Sequence, residues 1–484
     1  MAHATPDAGR RPRLEYKWKA LAAVAIGTFM STLDSSIVNV AMPTLASEFQ
    51  VEITTVEWVA MAYMLTVTGL LISLGRLSDM VGRKRIYNLG LLIFTAGSAL
   101  CALAGGIGVL IAARVVQGVG AAMLAANGAA ILTSAFPRTE RGQAMGLNGT
   151  IVGAGLTVGP SLGGVLIHAF GWRSIFTINL PVGLVGLLLA TLLLRPDEPC
   201  PEQERFDFAG ALGLLVCLAG LLLALSHGEA WGWSSRPILA LFGVSLFSGA
   251  HFLRTEARVP YPTIDLSLFR NRLFSAASVS AVASYVAIAS VVFTMPFYLQ
   301  QLRGFSTAHM GLMLTVIPLT MVVVSPVSGW LSDRIGSRVL ASAGMASIAL
   351  GLVLLSHLGT QATPLAIMGR LFLVGLGNGL FASPNSSAIM GAVPPQRLGV
   401  ASGMISTVRT TGMVLGVAIA GAVIAVRRAA LVAAGLAPET AFGSALAGAL
   451  LVTAAIAAAG IVPSLVRGPE ERRAACAGCL ATAR

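Results

Sequence analysis

The segment GRLSDMVGRKR, residues 75–85, carries four basic residues and one acid in a chain that is otherwise mostly apolar. A related segment, GWLSDRIGSRV, occupies residues 329–339, which is 254 positions later. Both segments begin with glycine and place an aspartate four residues further on, Asp79 in the first and Asp333 in the second. A charged segment that occurs twice at this distance predicts an internal duplication.

The composition predicts a membrane protein. The chain has 484 residues, of which 56% are hydrophobic and 11% are charged, and a soluble fold of this length cannot bury so much apolar surface. Apolar stretches of about 18 residues or more recur along its length, as membrane helices require. Because these stretches are continuous and do not alternate, they exclude barrel strands. We count fourteen of them, so the expected fold class is an all-α polytopic membrane protein.

The distribution of basic residues predicts the orientation. With an even number of spans, both termini lie on one side, and that side holds 24 of the 32 Lys and Arg residues. The other side holds five: Arg173, Arg236, Arg303, Arg427 and Arg428. Basic residues accumulate in cytoplasmic loops. We therefore expect a multi-pass protein of the cell membrane with both termini in the cytoplasm, and the net charge of +12 needs no nucleic-acid partner.

Three further landmarks repeat at nearly the same offset. They are Met42-Pro43 with Met295-Pro296, Arg114 with Arg370, and Arg141 with Arg397. The repeats predict two six-helix bundles with two helices inserted between them. The expected divisions are an N-terminal tail at 1–18, bundles at 19–200 and 256–466, the insertion at 201–255, and a tail at 467–484. Such repeats suit alternating access, although channels and enzymes also contain repeats.

The acid in the repeated segment predicts more than an orientation signal, because acids contribute little to orientation. We expect a cytoplasmic gate in which ion pairs and helix-end contacts hold the bundles together. Glycines at its ends permit close backbone approach or positive φ. The expected gate residues are Gly75, Asp79, Gly82, Arg83, Lys84, Arg85 and Asp333.

The repeated segment resembles the signature loop of the major facilitator superfamily. LDSSIVNVAMP (33–43), RVVQGVGAAML (114–124), GLTVGPSLGGVL (155–166) and WRSIFTINLPVG (172–183) resemble further motifs of its fourteen-helix drug:proton antiporter branch. The resemblance is dense over the first six helices and thin over the second half. It implies a major-facilitator-type fold and multidrug efflux of the kind that confers antibiotic resistance. Residues 83–85 of the first copy become Ser337-Arg338-Val339 in the second, which suggests an asymmetric gate.

Asp34 is the one acid that the sequence places deep in a span. A charged Asp there costs about 2.5–3.5 kcal/mol on insertion scales, so such acids are usually functional. We expect Asp34 to alternate between a proton and cargo, and a hydrogen-bonded tie between helices is the alternative. Arg114 needs a partner because arginine stays charged. The resemblance implicates both residues in proton coupling, whereas snorkelling to the outer interface is the alternative for Arg114.

The remaining site predictions concern the cavity and one glycine-rich helix. The expected substrate-cavity residues are Asp34, Asn39, Gln117 and Asn148. The expected antiporter-motif residues are Gly155, Gly159, Pro160, Gly163 and Gly164. The glycines at four-residue spacing predict a close-packing face, and the proline predicts a kink. Export as the direction of transport is inferred from the resemblance. The roles of Arg370 and Arg409 stay open.

The sequence predicts secondary transport without a cofactor. Its three lysines lie in no phosphate-binding G-x-x-x-x-G-K-[ST] loop, so a proton gradient is the expected energy source. No catalytic residue and no metal site are expected, and Cys476-x-x-Cys479 has no nearby histidine. The expected function is proton-coupled export of amphipathic or cationic drug-like compounds by a monomer in the bilayer. The alternatives are a lipid or glycolipid transporter of the same fold and a membrane enzyme or sensor.

Overall fold

The computed structural model describes residues 15–196, 206–259, 262–359 and 361–466. Most of the predicted N-terminal tail, the predicted boundary at 200 and 201, and the tail at 467–484 with Cys476 and Cys479 lie outside these ranges. Within them, fourteen helical spans are long and apolar enough to cross a membrane, which confirms the expected number.

The spans are formed by seventeen α-helices, because three spans consist of two consecutive helices: α6 with α7, α11 with α12, and α16 with α17. The helices are α1 Tyr16–Phe49, α2 Ile53–Val81, α3 Arg83–Ala102, α4 Ile107–Ala135, α5 Arg141–Phe170, α6 Ser174–Thr177, α7 Asn179–Leu193, α8 Phe208–Trp231, α9 Arg236–Glu256, α10 Arg272–Phe297, α11 Thr307–Leu314, α12 Val316–Ile335, α13 Ser337–Ser356, α14 Pro364–Gly391, α15 Leu398–Ala433, α16 Pro438–Ala459 and α17 Ile461–Leu465. Continuous apolar runs form helices in lipid because every backbone polar group then finds its partner within the segment.

Helix packing confirms the duplication. In the first bundle α1 packs against α4, α5 and α7, and α3 packs against α4 and α7. In the second bundle α10 packs against α14, α15 and α16, and α13 packs against α14 and α16. The two bundles therefore repeat one arrangement. The charged turn repeats as well, since Gly82 between α2 and α3 has φ +116° and Gly336 between α12 and α13 has φ +93°, a conformation that favours glycine.

The inserted helices lie beside the boundary between the bundles. Helix α8 packs against α9 and also against α2 and α15, which belong to different bundles. Leu214 of α8 and Phe252 of α9 form one apolar cluster with Ile72 of α2 and Val400 of α15. The insertion thus contacts both halves of the molecule.

Candidate functional site

Asp79, in the last turn of α2, caps a helix of the other bundle. Its Oδ1 accepts a hydrogen bond from the backbone N–H of Gly399 at 2.9 Å, and its Oδ2 accepts one from Val400 at 3.1 Å. Both donors lie in the first turn of α15, where N–H groups have no partner within the helix. A carboxylate at this position also compensates the positive end of the helix dipole. Asp79 therefore joins the two bundles.

Asp333 makes the reciprocal contact. It lies near the end of α12, and its Oδ1 and Oδ2 accept from the N–H groups of Gly142 at 2.7 Å and Gln143 at 2.8 Å. These donors belong to the first turn of α5 in the first bundle. The asymmetry that we expected between the two copies therefore does not extend to their carboxylates, which bond the backbone in the same way.

Glycines bring the crossing helices into backbone contact next to these carboxylates. A Cβ on Gly399 would lie 2.3 Å from the carbonyl oxygen of Gly75. A Cβ on Gly142 would lie 2.3 Å from the carbonyl oxygen of Gly329. No side chain fits at either position without a shift of the backbone, so α2 can approach α15, and α12 can approach α5, only because these residues are glycine.

The same contact recurs one turn further into the membrane. A Cβ on Gly146 would lie 2.5 Å from the carbonyl oxygen of Ser325, and one on Gly403 would lie 2.6 Å from that of Leu71. Four of these glycines were not predicted from the sequence: Gly142, Gly146, Gly399 and Gly403. Their signal is a common offset, since both pairs, 142 with 399 and 146 with 403, are separated by 257 positions.

The basic residues of the predicted gate separate into two groups. Arg83 Nη2 lies 2.9 Å from Asp79 Oδ1 and also donates to the carbonyl oxygen of Pro395, which precedes α15. Lys84 Nζ instead donates to the carbonyl oxygens of Thr191 at 2.8 Å and Leu194 at 2.6 Å, at the end of α7. These bonds join α3 to α7 within the first bundle.

These two bonds lie within one bundle, so the role of Lys84 in the gate stays a prediction. Arg85 is exposed, and nothing in the described structure places it in the gate either. Arg83, in the same first turn of α3, does reach the other bundle through the carbonyl oxygen of Pro395.

Asp34 lies at the centre of a fully buried polar cluster in the first bundle. Its Oδ2 accepts from Arg114 Nη1 at 2.6 Å, and its Oδ1 accepts from Gln117 Nε2 at 2.8 Å and Asn179 Nδ2 at 2.9 Å. These donors come from α4 and α7, and the carboxylate is 0% exposed. The carboxylate therefore accepts three hydrogen bonds from side chains, and the positive charge of Arg114 balances its negative charge.

Arg114 is held on several sides. Its Nε donates to the carbonyl oxygen of Val59 at 3.0 Å, and its Nη1 also donates to Gln117 Oε1 at 2.5 Å. The ring of Tyr63 lies 4.0 Å from its Cζ, within the range of a cation–π interaction. The side chain is 1% exposed and turned inward, so the structure favours an ion pair with Asp34 over snorkelling.

Asn179 and Tyr63 belong to this cluster but were not predicted from the sequence. Asn179 lies within the quoted segment WRSIFTINLPVG, and an amide in an otherwise apolar span was the available signal. Tyr63 gave no comparable signal. A tyrosine in a span is compatible with packing against any neighbour.

The four residues predicted to line a substrate cavity do not form one site in this conformation. Asp34 and Gln117 are buried within the first bundle, whereas Asn39 is exposed. Asn148 is half-buried, and its Oδ1 accepts from Thr28 Oγ1 at 3.4 Å. The reason is helical geometry, because five positions at about 100° each turn Asn39 roughly 140° away from Asp34 around α1.

The predicted glycine face packs at the level of Asp34. A Cβ on Gly155 would meet Thr32 Oγ1, one on Gly159 would meet Ser36 Oγ, and one on Gly163 would meet Ile37 Cγ1, each within 2.6 Å. Helix α5 therefore lies directly against α1, as the four-residue spacing predicts. Pro160 and Gly164 are exposed, and a Cβ on Gly164 would meet nothing within 4 Å, so these two residues lie outside the contact.

Comparisons with known proteins agree with this architecture. A family model described as Major Facilitator Superfamily matches residues 24–417 and 280–474. The riboflavin transporter RibZ of Clostridioides difficile is 38% identical over 405 residues, which are 84% of this chain and 88% of that protein. The multidrug resistance protein Stp of Mycobacterium tuberculosis is 36% identical over 407 residues, 84% of this chain and 75% of that protein. A crystal structure of the human organic anion transporter MFSD10 has a TM-score of 0.68 at 17% identity, covering 94% of this chain and all of that one, and shows a shared fold.

Proposed function

Because the chain belongs to the major facilitator superfamily, we propose that it is a proton-coupled exporter of amphipathic or cationic drug-like compounds that works by alternating access. The chain is a multi-pass membrane transporter and not an enzyme. The observation that supports proton coupling is the buried pair of Asp34 and Arg114, whose Oδ2 and Nη1 are 2.6 Å apart. An ionisable pair in a span has a known use in moving protons.

Alternating access needs a conformation that is closed at one end of the molecule, and the contacts of Asp79 and Asp333 would stabilise such a conformation. Asp79 and Asp333 hold the bundles together at the end where α2 and α12 finish. We assign this end to the cytoplasm, in line with the distribution of basic residues. The described conformation is then closed to the cytoplasm, and cargo would leave from the opposite end.

Protonation of Asp34 is the step that would couple the proton to the conformation. It removes the counter-charge of Arg114, and a buried charge that loses its partner costs about 3–5 kcal/mol. Arg114 keeps only neutral partners in that state, namely Gln117, the Val59 carbonyl oxygen and the Tyr63 ring. A difference of this size between conformations changes their ratio by roughly two to four orders of magnitude, because about 1.4 kcal/mol corresponds to a factor of ten.

The proposed direction of transport and the proposed cargo are supported by similarity to other proteins. One relative is named a multidrug resistance protein and another a riboflavin transporter, which supports drug-sized amphipathic cargo. The glycine face of α5, which packs on α1 beside Asp34, belongs to the segment whose resemblance implies export.

A proton-flux measurement tests this proposal. The purified protein is reconstituted into liposomes with a pH-sensitive dye inside, and riboflavin or ethidium is applied as a gradient. We expect a change of internal pH that depends on cargo and is absent from protein-free liposomes. Cargo movement without proton movement would contradict the coupling. Movement of a fluorescent lipid analogue in place of either solute would instead identify a lipid transporter.

A further inference from the structure

Arg409 is a membrane-embedded arginine without a counter-ion. It lies eleven residues after the start of α15, which is about 16 Å along a helix of 1.5 Å rise. Its side chain is half-buried, and among the described residues it forms neither a hydrogen bond nor an ion pair. A guanidinium remains charged in any protein environment, so this charge needs an anion from elsewhere or access to water.

The surroundings of Arg409 place it between the bundles. Its helix α15 packs against α10 of the same bundle and against α2 of the first bundle. A Cβ on Gly412, three residues after Arg409, would lie 2.8 Å from Cβ of Tyr285 in α10. Tyr63 of α2 contacts Arg114, whose Cζ lies 4.0 Å from the ring centroid. Helix α2 therefore contacts both the helix of Arg409 and the buried ion pair.

The charges of the described spans make this region positive. Asp34 is the acid that lies deep in a described span, and Arg114 already neutralises it. Glu57 is exposed near the start of α2, and Asp79 and Asp333 are engaged at the helix ends. No described carboxylate thus offsets Arg409, and a cationic group of the cargo would meet repulsion there.

We infer that Arg409 binds a negatively charged group of the cargo, so that the preferred substrates are aromatic amphipaths with a carboxylate, a sulfonate or another ionised acid. This inference rests on the proposed function; it narrows the amphipathic substrates to acidic compounds and replaces the cationic ones. The planar guanidinium suits bidentate binding of a carboxylate, and Tyr285, which packs against α15 near Arg409, offers aromatic surface.

The first test measures the local potential without any cargo. Met413 is 36% exposed and lies one turn after Arg409. Met413→Cys is introduced into a full chain that lacks the five native cysteines and is treated with the anionic reagent MTSES or the cationic reagent MTSET. Relative to a free thiol, we expect the anionic reagent to be favoured, and Arg409→Gln to reduce that preference several-fold. A thiol that neither reagent reaches, or a preference that Arg409→Gln leaves unchanged, would overturn the inference.

The second test measures equilibrium binding of two xanthene dyes without any gradient, anionic fluorescein and cationic rhodamine 6G. Arg409→Gln should weaken fluorescein binding roughly tenfold to hundredfold, the usual effect of losing a charged hydrogen bond. Arg409→Lys should retain part of the affinity. Arg270→Gln removes an exposed arginine from the connection before α10 and serves as the control for lost charge.

The outcomes separate this inference from the proposed function. Fluorescein binding that depends on Arg409 supports the anion site even if no proton flux is found. Rhodamine 6G that binds better than fluorescein, or fluorescein that fails to bind or binds Arg409→Gln equally well, overturns the anion site. Neither of these results bears on proton coupling by Asp34.

Discussion

The two halves of the molecule share a gate, but the ion pair of Asp34 and Arg114, deep in the described spans, belongs to the first half. Asp79 and Asp333 are 254 positions apart, and each accepts two backbone N–H bonds from the opposite bundle. Asp34 has no such counterpart. The offset of 253 that relates Met42 to Met295 places the buried Ala287 at the equivalent position of α10.

This difference has a physical explanation. Each half supplies both an aspartate and a helix N-terminus to the contact between the bundles, so the gate is present in both halves. Coupling to a proton needs only one carboxylate, and a second buried acid would add its own desolvation cost. Arg370, the counterpart of Arg114, then remains in the second half without an acid from α10.

The largest effect is expected at the unique carboxylate. Asp34→Asn removes the group that we propose takes up the proton, and it leaves Arg114 with a neutral partner. We expect uphill, pH-driven transport to fall more than a hundredfold, since about 3–5 kcal/mol of ion-pair stabilisation is lost. Transport by proteoliposomes under an imposed pH gradient measures it.

A double variant provides the control for folding. Asp34→Asn with Arg114→Gln restores charge balance in the cluster, so thermal stability in detergent should recover while pH-driven transport does not. Unimpaired uphill transport by Asp34→Asn would show that the coupling group lies elsewhere and would remove the contrast between the halves.

The second effect concerns the duplicated gate. Asp79→Asn and Asp333→Asn should each weaken the closed conformation by about 2–4 kcal/mol, because each exchanges a charged acceptor of two helix-end donors for a neutral one. Labelling of an introduced thiol at the half-buried Asn148 by an impermeant reagent from the Asp79 side measures the opening.

The double variant Asp79→Asn/Asp333→Asn tests whether the two gate contacts act independently. Since the two contacts are made by different helices, their free-energy effects should add within about 0.3–0.5 kcal/mol. If Asp79→Asn opens the gate and Asp333→Asn leaves labelling at the wild-type level, the gate is asymmetric after all.

The smallest effect is expected from single methyl groups. Gly142→Ala and Gly399→Ala each introduce a Cβ that would lie 2.3 Å from a backbone oxygen of the opposite bundle, and overpacking of this kind costs about 1–3 kcal/mol. We expect a modest increase in the same labelling. Gly164→Ala, where a Cβ would meet nothing within 4 Å, is the matched control. Equal labelling of all three variants would mean that the glycine contacts do not hold the gate closed.

Features that depend on a single unusual residue within a span could be predicted from the sequence. A deep acid and a deep arginine are rare enough in membrane spans to indicate a pair, and Asp34 and Arg114 form one. Asn179 bonds Asp34 across 145 positions of sequence, and no local pattern indicates such a partner. The contact glycines were missed for a related reason, since the chain has 54 glycines and only the crossing of helices distinguishes Gly142 and Gly399.

The orientation of α1 also lay beyond the sequence. Asp34 and Asn39 are in the same segment, yet the packing of α5 on the Thr32 and Ser36 side of α1 turns Asp34 toward α4 and α7. A helix with polar residues on several faces does not specify which of them faces its own bundle. The contacts of the whole bundle decide this rotation. For this reason the predicted cavity included Asp34 and Gln117, which are in fact buried inside the first bundle.

The reciprocal capping of α15 by Asp79 and of α5 by Asp333 has the form of an isologous interface, in which residue i of one partner contacts residue j of the other and j contacts i. An interface of this kind is complete when two identical six-helix chains meet around a two-fold axis. A dimer of unfused halves would therefore close by the same four hydrogen bonds. Fusion then lets each copy change independently, which accounts for a shared pair of aspartates beside the divergent residues 83–85 and 337–339.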